Sequence, residues 1–124
     1  MSHVAVRRST QFGLILTACI ASLAASCVRK TPAEATHIHV TMRQFAIEPN
    51  VIQVKQAQNV VLDVSTDDVL HGFMVPKLGI NEPIQPGKAA AIPLDTTRKG
   101  EFEVTCSILC GAGHNDMRAR ILVQ

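Results

Sequence analysis

The chain has 124 residues, of which 18% are charged, with a formal net charge of +2 and neither Trp nor Tyr. The excess of two belongs to Arg7 and Arg8, because from Cys27 onward ten Lys/Arg balance ten Asp/Glu. No basic patch remains to neutralise phosphates and too few aromatics to stack on bases, which argues against a nucleic-acid partner.

Met1 to Gln11 carries Arg7 and Arg8 and no acid, and Phe12 to Ala25 is almost wholly apolar. A charged start followed by an apolar run is the layout of an export signal. As a membrane span the run is short, since roughly 20 apolar residues are needed. Arg7-Arg8 before Phe12 is only a faint hint of twin-arginine export. Leu16-Thr17-Ala18-Cys19 resembles a bacterial lipobox, and Ala24-Ala25-Ser26-Cys27 offers a second small-residue site. The expectation is a leader over residues 1–26, with Cys19 or Cys27 as the lipidated residue and ordinary cleavage after Ser26 as the alternative. Residues 27–36, containing Lys30-Thr31-Pro32, read as a polar tether. Residues 37–124 are then a single domain of ordinary size. The implied location is the periplasm or the periplasmic face of a bacterial inner membrane, with tethering through lipid or an uncleaved signal.

After the tether the hydrophobic period is two. His37, His39 and Thr41 alternate with Ile38, Val40 and Met42. Phe45 and Ile47 lead to a turn at Glu48-Pro49-Asn50, and Val51–Val54 and Val60–Ser65 resume strands. Thr66-Asp67-Asp68 punctuates, with carboxylates close enough in sequence to orient His71. Leu70–Val75 is a strand stopped by Pro76, Lys77–Gln85 reads as loop, and Pro86-Gly87 is a turn. Ala89–Leu94, Gly100–Thr105 and Arg118–Val123 complete about seven strands with no convincing helix, which predicts an all-β Greek-key sandwich or barrel. His37 and His39 share one strand face and could bind a second metal or capture copper, but no third ligand stands nearby in sequence, so a solvated face is the favoured reading. Met42 and Met74 read as packing residues.

The chemistry is concentrated between the last two strands. Cys106, Cys110, His114 and Met117 follow the pattern C-x3-C-x3-H-x2-M, and His71 stands far upstream. In an exported protein a cysteine pair first suggests a disulfide, but a bridge does not need an imidazole and a thioether at ligand spacing. Thiolate, thioether and imidazole together select copper, whereas thioether is a poor zinc ligand. Two arrangements fit. A mononuclear blue site uses His71, Cys110, His114 and Met117 and leaves Cys106 idle. A dinuclear site has both cysteines bridging two coppers, one imidazole on each metal, Met117 capping one and a main-chain carbonyl capping the other.

The loop, together with His71-Gly72-Phe73, Pro86-Gly87 and Gly100-Glu101-Phe102, resembles the CuA cupredoxin domain of cytochrome c oxidase subunit II and nitrous oxide reductase over roughly residues 38–123. The resemblance implies a cupredoxin-like fold and two copper ions in a mixed-valence centre. It implies Cys106 and Cys110 as bridging thiolates, His71 and His114 as terminal imidazoles, Met117 as weak axial ligand, and Ile108 as the residue whose main-chain carbonyl caps the second copper. The implied role is electron relay to a redox partner such as a c-type cytochrome or a terminal oxidase. No nucleophile, base and acid stand together, so the chain is not expected to be catalytic alone; it would be an electron-entry component.

Three departures shape that expectation. Ile108 stands where subunit II usually has Glu, only an export segment precedes the domain, and the aromatic entry patch is missing. They point to a stand-alone, membrane-tethered relay. A copper chaperone or store is the alternative. Thiol–disulfide chemistry of the CxxxC assembly-factor kind needs thioredoxin-type helices that this pattern lacks.

Overall fold

The computed structural model describes residues 33–124. The expected leader, with Cys19 and Cys27, lies outside the described residues. Nine strands follow in chain order: β1 (Thr36–Arg43), β2 (Ala46–Glu48), β3 (Val51–Val54), β4 (Val60–Thr66), β5 (His71–Val75), β6 (Ile80–Ile84), β7 (Ala90–Leu94), β8 (Gly100–Cys106) and β9 (Arg118–Val123). The helical content of the described residues is two single turns of 3-10 helix, Pro76–Leu78 and His114–Asp116.

The strands form two mixed sheets, ordered β2-β1-β4-β7 and β3-β9-β8-β5-β6. In the first, β1 runs parallel to β4 in continuous register from Thr36↔Val60 to Met42↔Thr66. In the second, β3 runs parallel to the last strand, β9. The remaining pairings are antiparallel. This is the all-β sandwich that the alternation predicts.

Period-two patterning builds the core directly. Val40 and Met42 on β1, Val60, Leu62 and Val64 on β4, Phe73 and Val75 on β5, and Val104 and Ile121 on β8 and β9 are buried. The intervening residues face out, including His37 and His39. Each side chain of this size contributes about 1.5–3 kcal/mol on full burial, so the inward faces fix the register. Met42 joins the core, while Met74 is half-buried on the other face of β5.

One stretch departs from the sequence reading. Residues 77–85 read as loop, yet Ile80–Ile84 is β6, paired from His71↔Ile84 to Val75↔Ile80. Only Ile84 of its five residues is buried, and Pro83 breaks the pattern. Both features are tolerated because β6 lies at the edge of its sheet, where a missing N–H leaves no ladder bond unmade.

Candidate metal centre

The register of the second sheet gathers the site at one end of the sandwich. β8 ends at Cys106, directly opposite Phe73 of β5. Two residues back on β5, on the same inward face, is His71. The Ser107 N–H donates to the Gly72 carbonyl at 2.9 Å, holding the outgoing loop against β5. Gly72 allows this approach: a Cβ there would fall 2.1 Å from Ser107 Oγ and 3.1 Å from the Ile108 backbone nitrogen. The chain then turns at Gly111, whose φ of +139° suits glycine. The 3-10 turn His114–Asp116 brings Met117 back inside just before β9.

All six positions expected from the sequence converge here. Cys106 Sγ lies 3.8 Å from His71 Nδ1 and 3.2 Å from the Ile108 carbonyl oxygen. Cys110 Sγ lies 3.8 Å from His114 Nδ1 and 3.2 Å from Met117 Sδ. The two sulfurs stand 4.0 Å apart. A disulfide would need about 2.05 Å, so these are separate thiols. Each sulfur therefore has its own imidazole nitrogen and its own weak donor. His71, Cys106 and Cys110 place ligand atoms within 4.8 Å of one another. His114 is outside that mutual group, on the Cys110 side.

The imidazole of His71 is completely buried and has both ring nitrogens engaged. Its Nε2 faces Asp68 Oδ1 at 2.8 Å. A carboxylate partner fixes the proton on Nε2 and turns the Nδ1 lone pair towards Cys106. Partial burial pushes the Asp68 carboxyl up. The N–H groups of Gln44 and Val69, the Thr66 hydroxyl and the His71 ring outweigh it and hold Asp68 well below the ordinary carboxylate range. Asp68 is thus a fixed anion behind the histidine. At Cys110, burial pushes the thiol up, and the neighbouring Cys106 adds to it. The Cys110 thiol therefore resists ionisation unless a cation joins it, and a coordinated metal deprotonates such a thiol outright.

That demand for positive charge, with two sulfurs, a thioether and two imidazoles around one small space, fits copper. Sulfur and nitrogen hold either oxidation state, and the buried donors Cys106, Cys110, Met117 and His71 limit access of water.

Sequence reasoning missed three supports. Gln44, in the β1–β2 turn, donates its side-chain amide to the Cys110 carbonyl and its backbone N–H to Asp68 Oδ2 at 2.6 Å. The Gly72 N–H points at Cys106 Sγ from 3.5 Å. The ring of Phe45 packs under the loop, where a Cβ on Gly113 would come within 2.5 Å of it. Only Asp68 carried a signal, three residues before His71.

A mixed-sheet sandwich that presents two cysteines between a buried histidine and a histidine–methionine turn is a CuA-type cupredoxin domain. The chain belongs to the cytochrome c oxidase subunit II family, matching its periplasmic domain over residues 29–124. It is 33% identical over 87 residues to cytochrome c oxidase subunit 2 of Thermus thermophilus, covering 70% of this chain and 64% of that protein. The chain thus spans less than two thirds of that relative's length. Among solved structures, the fold matches a heme-copper terminal oxidase dimer with a TM-score of 0.69 at 22% identity, covering 77% of this chain and 68% of that one. It matches the periplasmic domain of subunit II of cytochrome oxidase of Bradyrhizobium japonicum with a TM-score of 0.65 at 22% identity, covering 71% and 83%. Among the described residues no helix is long and apolar enough to cross a membrane.

Proposed function

We propose that this domain holds two copper ions between Cys106 and Cys110 and relays single electrons at the periplasmic face of a membrane. The observation that carries the dinuclear reading is the paired environment of the thiols. Cys106 has His71 Nδ1 and the Ile108 carbonyl beside it, and Cys110 has His114 Nδ1 and Met117 Sδ. A mononuclear site on Cys110 would leave the donors around Cys106 without a purpose.

Bound there, copper supplies a one-electron couple. The chain's own residues do the rest. Asp68 orients His71, the Gly72 N–H steadies the Cys106 sulfur, and Gln44 and Phe45 brace the loop against movement. A braced site changes little when charge arrives, which keeps transfer fast.

A c-type cytochrome or terminal oxidase is the partner class this reading favours, supported by the relative's description as a cytochrome c oxidase subunit. The tethered arrangement rests on the export signal and polar tether read from the sequence.

Copper content with optical and EPR spectra of the copper-loaded protein tests the proposal. Two coppers per chain with a purple, mixed-valence signal shared over both metals is the expected result. One copper with a blue, single-nucleus signal would return the mononuclear site. Colourless Cu(I) that leaves readily to a competitor would overturn electron relay and favour a chaperone.

A further inference from the structure

The chain has five histidines: His3 in the leader, His71 and His114 at the copper end, and His37 and His39. The last two project from the outward face of β1, with side chains 55% and 86% exposed. Sequence offers no third donor near them, but the topology does. The parallel register of β1 on β4 sets His39 directly against Asp63. One carboxylate oxygen, Asp63 Oδ2, lies 2.9 Å from His37 Nδ1 and 3.8 Å from His39 Nδ1. On its other side Asp63 pairs with Ala91, which brings no competing charge.

We propose that His37, His39 and Asp63 form a second, solvent-facing site for a borderline divalent transition metal, Cu(II) before Zn(II). His37 is hydrogen-bonded to Asp63, and His39 stands 3.8 Å from the same oxygen without bonding it, free to join a shared ligand. Two imidazoles at alternate strand positions and a carboxylate from the neighbouring strand make a three-donor face, leaving further positions for water. Metal–nitrogen and metal–oxygen distances of about 2.0–2.2 Å require both exposed rings to turn in towards Asp63. Imidazole and carboxylate without sulfur favour Cu(II) over Cu(I), and the usual affinity order puts Cu(II) above Zn(II). Five residues of extended strand separate His39 from Gln44 at the copper loop, about 15 Å. The two sites are therefore distinct, and the exposed one is open to exchange.

The full chain, its cysteine loop first saturated with copper, is titrated with Cu(II) alone and followed by EPR and absorption. One further equivalent is expected, with an axial nitrogen/oxygen signal and no thiolate-to-copper absorption. His39→Ala and Asp63→Asn should each weaken it at least tenfold while leaving the thiolate absorption and thermal midpoint unchanged. No further equivalent overturns the proposal, as does one that survives both substitutions, which would assign it to the leader or the amino terminus. Because the second signal lacks sulfur character, it is read whether or not the cysteine loop holds two coppers.

Discussion

A histidine with no exposed surface must satisfy both ring nitrogens, and His71 divides them between a carboxylate and the cysteine pair. Asp68 is anchored by three other donors, Gln44 N–H, Val69 N–H and the Thr66 hydroxyl, so it stays put whether or not metal is bound. Replacing it by Asn keeps the shape and an oxygen for Nε2–H but removes the charge. Copper affinity of Asp68→Asn should then fall about 10- to 100-fold, read by competition with a chelator of known strength. Met117 poses a different question, because it is both 1% exposed core and 3.2 Å from Cys110. Met117→Leu conserves volume, so the unfolding free energy from denaturant titration should change by less than about 1.5 kcal/mol. The reduction potential and copper hyperfine pattern should change if the thioether is a ligand. An unchanged spectrum in a stable Met117→Leu protein would reduce Met117 to packing.

At the level of elements, the copper end is made by β5 and β8 meeting closely, and Gly72 permits the approach. Gly72→Ala drives a methyl into Ser107 Oγ, which rotates, and against the Ile108 backbone nitrogen, which does not. The expected loss is about 1–3 kcal/mol of stability, as for other overpacked sites, with copper bound less tightly. Chemical unfolding of the apo and copper-loaded forms separates the two effects. A Gly72→Ala protein matching the wild type in both would mean that the loop is not held against β5. The same elements show which parts of the fold were legible. Strands that alternate cleanly, such as β4 with Leu62 and Val64 inward, announce themselves by period two. β6 did not, because an edge strand buries only one side chain and has no need of alternation. The parallel pairing of β1 with β4, and of β3 with β9, was equally silent, since period two is the same for either direction.

Across the whole molecule the sandwich divides labour between a sealed core and one decorated end. The cysteine loop was legible because its donors are local in sequence and their spacing is specific. The supports from Gln44, Phe45 and Gly72 were not, because they arise only when strands distant in sequence meet. The surface at that end carries the remaining prediction. Leu109 lies between the carbonyl-bearing Ile108 and Cys110, and is 81% exposed, while Leu70 is also a large apolar residue facing solvent and the packed Phe45 is partly exposed. An apolar side chain left in water beside a redox centre is suited to a transient contact, which excludes solvent over the electron's path without binding tightly. No Trp or Tyr is available to serve that purpose. Leu109→Glu places a charge in the contact and touches no donor atom. Copper content, spectrum and potential should match the wild type, while the second-order rate of electron exchange with a c-type cytochrome falls about tenfold, seen by stopped flow. An unaltered rate would move the docking surface away from the loop. A lost spectrum would show that Leu109 shapes the centre itself.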